Sequence, residues 1–170
     1  PKLWCKHCLM GRGTRRAHRI NVPDIEANGE GPNKVSIDYM YLNDEDGNKD
    51  QLQMVMVDHN HGRVFSYTVP RKGILGEVEW VPSRMIRDLD NMGYKNVTVR
   101  IKSDQEPAIV AIQEYIGLNR RSPTILTNSP VGESECNGRV ENAIRRVKEK
   151  ARTLVAQLEE GIGEKNTKGI

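Results

Sequence analysis

The sequence predicts an α/β fold: a five-stranded mixed sheet flanked by helices. Two observations carry this. Apolar residues recur at a period of two in several short segments and at three-to-four spacing in others. The segments then follow the order three strands, helix, strand, helix, strand, helix, which needs crossovers over a sheet rather than a pure meander.

The elements follow in chain order. Residues 1–33 lack sustained periodicity, and "NVPDIEANGEGPN" (Asn21–Asn33) is turn-rich and reads as a linker. "KVSIDYMYL" (Lys34–Leu42) alternates Val35, Ile37, Tyr39 and Tyr41 with Ser36, Asp38 and Met40, a strand with a carboxylate inside. "NDEDGNKD" is a polar turn. "LQMVMVD" (Leu52–Asp58) and "GRVFSYTVP" (Gly62–Pro70) are two more strands across "HNHG", closing an antiparallel meander. Ile74, Val78, Val81, Met85, Ile86 and Leu89 predict a helix ending near Gly93, kinked or restarted at Pro82.

"NVTVRIKSD" (Asn96–Asp104) is a fourth strand. "PAIVAIQEYIG" (Pro107–Gly117) opens on Pro and closes on Gly, a short helix. "TILTNSP" (Thr124–Pro130) is a fifth strand, and "VGESE" is a loop. "CNGRVENAIRRVKEKARTLVAQLEE" (Cys136–Glu160) is a long helix with two stripes. Val140, Ile144, Val147, Ala151, Leu154 and Leu158 are set to pack; Glu141, Arg145, Lys148 and Arg152 form the charged stripe beside them.

A chain of 170 residues is long enough to bury one real core. It begins at Pro1 without a Met and is expected to be a fragment of something longer. No apolar run reaches a membrane span, and nothing at the start resembles a signal peptide. Three cysteines make no disulfide framework, so a reducing compartment is expected. The net charge of +3 conceals a strong asymmetry. Residues 1–23 hold six Lys or Arg and no acid, and Arg139–Arg152 holds six bases against Glu141 and Glu149, leaving −7 on the remainder. Such concentration suits phosphate binding, although two solvated surfaces would look the same.

Three carboxylates are the candidate chemistry, each with an ordinary alternative. Asp38 sits mid-strand, where aspartate is a poor strand former, unless it faces water on an edge. Asp104 ends a strand, where it would also serve as an N-cap. Glu141 complements the positive end of a helix dipole. Taken together, two Asp on neighbouring strands and one Glu on a helix can converge on one point, since ligands of open α/β sheets gather at strand ends and helix starts. Carboxylates brought together repel unless a cation neutralises them, and oxygen-only donors suit Mg²⁺ or Mn²⁺.

The blocks "VSIDYMYL", "KSDQEPAI" and "CNGRVENAIRRVKEKARTL", with "MVMVDHNHGRVFSYTVP", resemble the integrase catalytic core of retroviruses and, more closely, of long-terminal-repeat retrotransposons. The resemblance runs from about Lys34 to Glu160, and "NGxxE", with Asn137, Gly138 and Glu141, is its most specific part. It implies an RNase-H-like five-stranded mixed sheet flanked by helices and an Asp-Asp-Glu triad on Asp38, Asp104 and Glu141. Between Asp104 and Glu141 lie 36 residues, one more than is usual in retroviral members. Glu133 and Glu135 are then rival third ligands, but a loop holds a metal ligand less well than a packed helix does.

The activity implied is DNA 3′-end processing and strand transfer with two Mg²⁺ (or Mn²⁺) ions. Arg145, Lys148 and Arg152 would hold DNA phosphates, with Asn137 and Gly138 lining the loop beside them. The rival readings are an RNase-H-like nuclease or DDE transposase, and a non-catalytic DNA-binding remnant of a retroelement. The partners implied are DNA (element ends and target) and a second copy, as a homodimer or higher oligomer, with no membrane. The implied location is intracellular, in the nucleus or a virus-like particle.

"WCKHC" is similar to the last half of the family's N-terminal zinc module, with Cys5 and Cys8 matching its Cys pair. Neither His7 nor His18 stands where the family places its His ligands. A tetrahedral site needs four donors, so Zn²⁺ is expected only in a longer parent chain. His59 and His61 read as turn residues, and Cys136 as packing or loop. The division implied is a zinc-module tail plus linker over 1–33, the core over 34–160 and a flexible tail over 161–170.

Overall fold

The computed structural model describes residues 5–12, 32–43, 50–129 and 138–163. The linker 21–31, the polar turn 44–49, the loop 130–137 with Glu133, Glu135, Cys136 and Asn137, and the tail 164–170 lie outside them, as does His18. The chain forms two compact units, one spanning Pro32–Val147 and one holding the described parts of Pro1–Gly31 and Lys148–Ile170.

The first unit is α/β. Strands β1 (Asn33–Asn43), β2 (Asp50–Asp58), β3 (Val64–Thr68), β4 (Val99–Ser103) and β5 (Thr124–Asn128) form one sheet in the order β3-β2-β1-β4-β5. β1, β2 and β3 pair antiparallel, whereas β4 runs parallel to β1 and β5 parallel to β4. This is the five-stranded mixed sheet expected from the sequence. The helices are α2 (Trp80–Leu89), α3 (Pro107–Asn119) and α4 (Gly138–Ile162), the last contributing to both units.

Strand alternation divides the core in two. Val35 and Ile37 of β1, Met54 and Met56 of β2, and Val99 and Ile101 of β4 pack with Met85 and Leu89 of α2 and with Ile109, Ile112 and Ile116 of α3. On the opposite side Met40, Val55 and Val57 pack with Val140 and Ala143 of α4. β2 is therefore buried on both faces, which explains why "MVMV" (Met54–Val57) is a continuous apolar run rather than an alternating one. The chain has a single Phe, and methionine fills much of the interior: Met40, Met54, Met56, Met85 and Met92 are buried, while Met10 is 60% exposed. The unbranched thioether adapts to gaps that aromatic rings would otherwise occupy.

Four expectations are corrected. Residues 1–33 contain a short helix, α1 (Lys6–Arg12), where no element was expected. The helix predicted from Ile74 instead begins at Trp80, after a 3₁₀ turn at Gly76–Val78. Pro82 lies in its first turn, where a missing N–H costs no helical bond. Gly76 (φ 62°) precedes it, a backbone conformation that no α-helix continues through. α3 runs through Gly117 to Asn119, and a Cβ at 117 would make ordinary contact with Leu126 Cδ1 of β5, at 3.5 Å.

The fourth correction concerns the apolar stripe of α4. Val140 and Ala143 are buried and Ile144 and Val147 pack beside them, but Leu154 and Leu158 are exposed at 57% and 59%. In the second unit a different face is used. Gly11 of α1 is buried so closely against α4 that a Cβ would stand 2.7 Å from the Glu149 carbonyl oxygen. Lys6 Nζ and His7 Nε2 pair with Glu160 at 3.5 and 2.6 Å.

Candidate active site

β1 presents Asp38 on the sheet side that α4 covers, because its neighbours Ile37 and Tyr39 point into the other core. Its cross-strand partner is Val55, and Met40, two residues on, packs under α4. β4 runs beside β1 with Ser36 opposite Lys102. Two further residues in this register put Asp104, just past the end of β4, beside Asp38. The fold thus delivers a carboxylate from the middle of β1 and one from just past the end of β4 to neighbouring positions on two adjacent parallel strands.

Both are held. Tyr39 N–H donates to Asp38 Oδ1 at 2.7 Å, and Glu106 N–H donates to Asp104 Oδ1 at 3.1 Å. Burial pushes the Asp38 carboxyl up to about 6; the charges of Asp104 and Glu106 add to the rise, while the Tyr39 N–H and Lys72 oppose it. A buried carboxylate with a second one beside it suits a divalent cation, and the oxygen donors are of the right chemistry for Mg²⁺ or Mn²⁺.

Glu141 is on the first turn of α4 and exposed. The structure brings Asp38 and Asp104 together; among the described residues no three His, Cys, Asp or Glu side chains form a metal-holding group. Gly138 opens α4. Arg145 is exposed and donates to Asn142 Oδ1 at 2.7 Å. Lys148 and Arg152 are half-buried and engaged with partners of their own.

Two residues near the pair escaped the sequence reading. Glu106 acts on Asp38, and Lys72 bonds Glu106 at 2.8 Å while lying 5.2 Å from the Tyr39 ring centroid. Glu106 was visible in "KSDQEPAI" as a second acid two residues after the first. Lys72 sits in the breaker "RKG", where nothing in the sequence links it to β1.

No protein-family model matches the chain, and no curated protein does. Among solved structures, it is similar to the catalytic core domain of BIV integrase. That likeness has 18% identity and a TM-score of 0.45, covering 77% of this chain and 73% of the other.

The turn between β2 and β3 holds His59 and His61. His59 Nε2 lies 2.7 Å from Ser36 Oγ, and burial together with Arg139, Lys34 and Lys102 pushes its pKa down to about 4. His61 Nδ1 lies 2.8 Å from Asp58 Oδ2, and Tyr94 Oη donates to Asp58 Oδ1 at 2.9 Å. Burial raises the Asp58 pKa, but the bonds from His61, Asn60 and Tyr94 outweigh it and hold the carboxyl below its usual range. Cys5 and Cys8 are both free thiols at the start of α1, and hydrogen bonds from Cys8 lower the Cys5 pKa. His7 spends Nε2 on Glu160, and its Nδ1 is buried with no partner among the described residues. Among the described residues no helix is long and apolar enough to cross a membrane.

Proposed function

We propose that residues 34–160 are a retroelement integrase core that processes DNA 3′ ends and joins them to target DNA by in-line phosphoryl transfer. The observation that carries this reading is the Asp38–Asp104 pair, set side by side on parallel strands within the two matching sequence blocks. Asp38, Asp104 and Glu141 would hold two Mg²⁺ or Mn²⁺ ions, which when bound supply charge neutralisation and a more acidic attacking oxygen.

The chain's own residues do the rest. The N–H groups of Tyr39 and Glu106 fix the two carboxylates, so little reorganisation accompanies charge development. Lys72 balances Glu106 and keeps a third acid from adding a full charge beside the pair. Arg145, Lys148 and Arg152 lie one, two and three turns beyond Glu141 along one stripe of α4, suited to successive phosphates, with Asn137 and Gly138 at its entrance. In this reading the partners are element-end DNA, target DNA and a second copy of the chain. Zn²⁺ would belong to a longer parent in which Cys5 and Cys8 gain two further ligands, and the site of action would be the nucleus or a virus-like particle.

The test is an oligonucleotide assay with Mg²⁺ or Mn²⁺, in which joined and merely cleaved products are resolved. Joined products that vanish in Asp38→Asn, Asp104→Asn and Glu141→Gln support the reading. Cleavage without joining would make the protein an RNase-H-like nuclease. Metal-independent DNA binding with neither product would make it a binding remnant.

A further inference from the structure

The breaker "PRKG" (Pro70–Gly73) follows β3, and the structure turns it back onto β1. Gly73 takes a φ of 101°, a conformation that favours glycine, and its N–H donates to the Tyr39 hydroxyl at 2.8 Å. Arg71 Nη2 donates to the Leu75 carbonyl at 2.8 Å, which closes the turn from its other side. Lys72, between these two anchors, lies over the Tyr39 ring with Nζ 5.2 Å from the centroid, a cation–π distance. The same Nζ stands 2.8 Å from each oxygen of the Glu106 carboxylate.

An ion pair whose side chains are 36% and 30% exposed contributes little by itself. This one matters for the residues it joins. Tyr39 N–H holds Asp38 Oδ1 at 2.7 Å, and Glu106 N–H holds Asp104 Oδ1 at 3.1 Å. Lys72 therefore bridges the two residues whose backbone holds the two carboxylates. The β1–β4 ladder cannot do this, because its last row is Ser36–Lys102. Tyr39 and Glu106 lie three and four residues beyond that row, where the strands have parted.

We propose that Lys72 is a positioning residue of the candidate active site: by gripping Tyr39 and Glu106 together it fixes the separation of the Asp38 and Asp104 carboxylates, and with it their fit to a small divalent cation. This rests on the reading of the pair as a cation site and adds the element that sets its width. Mg²⁺ demands oxygens at about 2.0–2.1 Å in a near-octahedral array, whereas Ca²⁺ accepts about 2.3–2.6 Å and a flexible one, so a loosened pair loses Mg²⁺ first. Charge alone has the opposite sign. Lys72 acts electrostatically on Asp38 and Asp104, so removing its charge without moving the carboxylates would tighten the binding of any divalent cation.

The experiment compares the parent with Lys72→Met, which keeps most of the stem and loses the ammonium, and with Lys72→Arg, which keeps the charge. In calorimetric titrations with MgCl₂ and CaCl₂, Lys72→Met is expected to bind Mg²⁺ about tenfold more weakly, the low end for residues that orient metal ligands, and to lose less for Ca²⁺. Lys72→Arg should recover most of the Mg²⁺ affinity. A metal-free readout runs beside it. By NMR in EDTA, the Tyr39 and Glu106 amides should exchange about tenfold faster in Lys72→Met, while the amides of β2 and β3 keep the parent's protection and show the fold intact. Unchanged or tighter Mg²⁺ binding in Lys72→Met overturns the clamp, as does parent-like exchange at both amides. A folded parent that binds neither ion overturns the reading of the pair as a cation site, and the amide comparison then decides the clamp by itself.

Discussion

Asp104 stands beside Asp38 across two parallel strands, and its charge adds to the burial that lifts the Asp38 carboxyl to about 6. The sign of the consequence is fixed. A carboxyl whose pKa rises on folding from 3.8 to about 6 takes up protons as the chain folds. Stability is therefore greatest below the unfolded value and falls as pH rises through about 6. Asp38→Asn removes that cost, and its Oδ1 still accepts the Tyr39 N–H. Thermal melts in EDTA should show a gain of a few degrees at pH 7.5 and none near pH 4. Adding Mg²⁺ should raise the melting temperature of the parent and leave the variant where it was.

Tyr67 and Asp88 give a prediction independent of function. The Tyr67 hydroxyl, buried, donates to Asp88 Oδ2 at 2.9 Å, and Arg84 Nε reaches the same oxygen at 3.1 Å. Tyr67→Phe leaves a buried carboxylate with one donor fewer. Urea denaturation should report a loss of about 1.5–3 kcal/mol, the usual cost for a bond to a charged group.

Arg120 ties the end of α3 to the chain before β4. It is 7% exposed and donates to the carbonyls of Tyr94 and Val97 at 2.7 and 3.2 Å, and to Thr124 Oγ1 at 2.9 Å. Arg120→Met strands the Val97 carbonyl and takes the shorter of two bonds from the Tyr94 carbonyl, which keeps the Val97 N–H at 3.4 Å. We expect about 2–4 kcal/mol of destabilisation by chemical denaturation, with Arg120→Lys recovering only part because it lacks the planar fork.

Gly11→Val should undock α1 within the second unit, since its Cβ would meet the Glu149 carbonyl oxygen at 2.7 Å and the Thr153 amide nitrogen at 2.9 Å. The backbone of α4 cannot yield that space. Hydrogen exchange should show the amides of 6–12 exchanging freely while those of β1, β2 and β4 keep the parent's protection.

The sheet was readable because period-two apolar residues mark it and each crossover falls between clear breakers. The Asp38 and Asp104 positions were readable for the same reason, one within a strand pattern and one at its end. What failed had a physical cause in each case. Ile74 and Val78 do pack into the core, but from outside α2, so their spacing imitated one helix. Leu154 and Leu158 continue a regular stripe past the last residue that packs against the sheet, and periodicity carries no information about where a neighbour stops. The pairing of Lys72 with Glu106 joins residues 34 apart, a relationship that only the fold creates.

The methionine-rich interior has a chemical corollary. Peroxide should convert Met10 to its sulfoxide rapidly, because its thioether is open to solvent, while Met54, Met56 and Met85 stay reduced for as long as the sheet stays closed. Each of those three sulfurs is then a clock for complete opening of the first unit, read by mass spectrometry as slow 16 Da increments (about one oxygen each) whose rate tracks global unfolding. Once oxidised, a polar, chiral sulfoxide has no place between β2 and its neighbours, so a chain that has opened under oxidant would not close again.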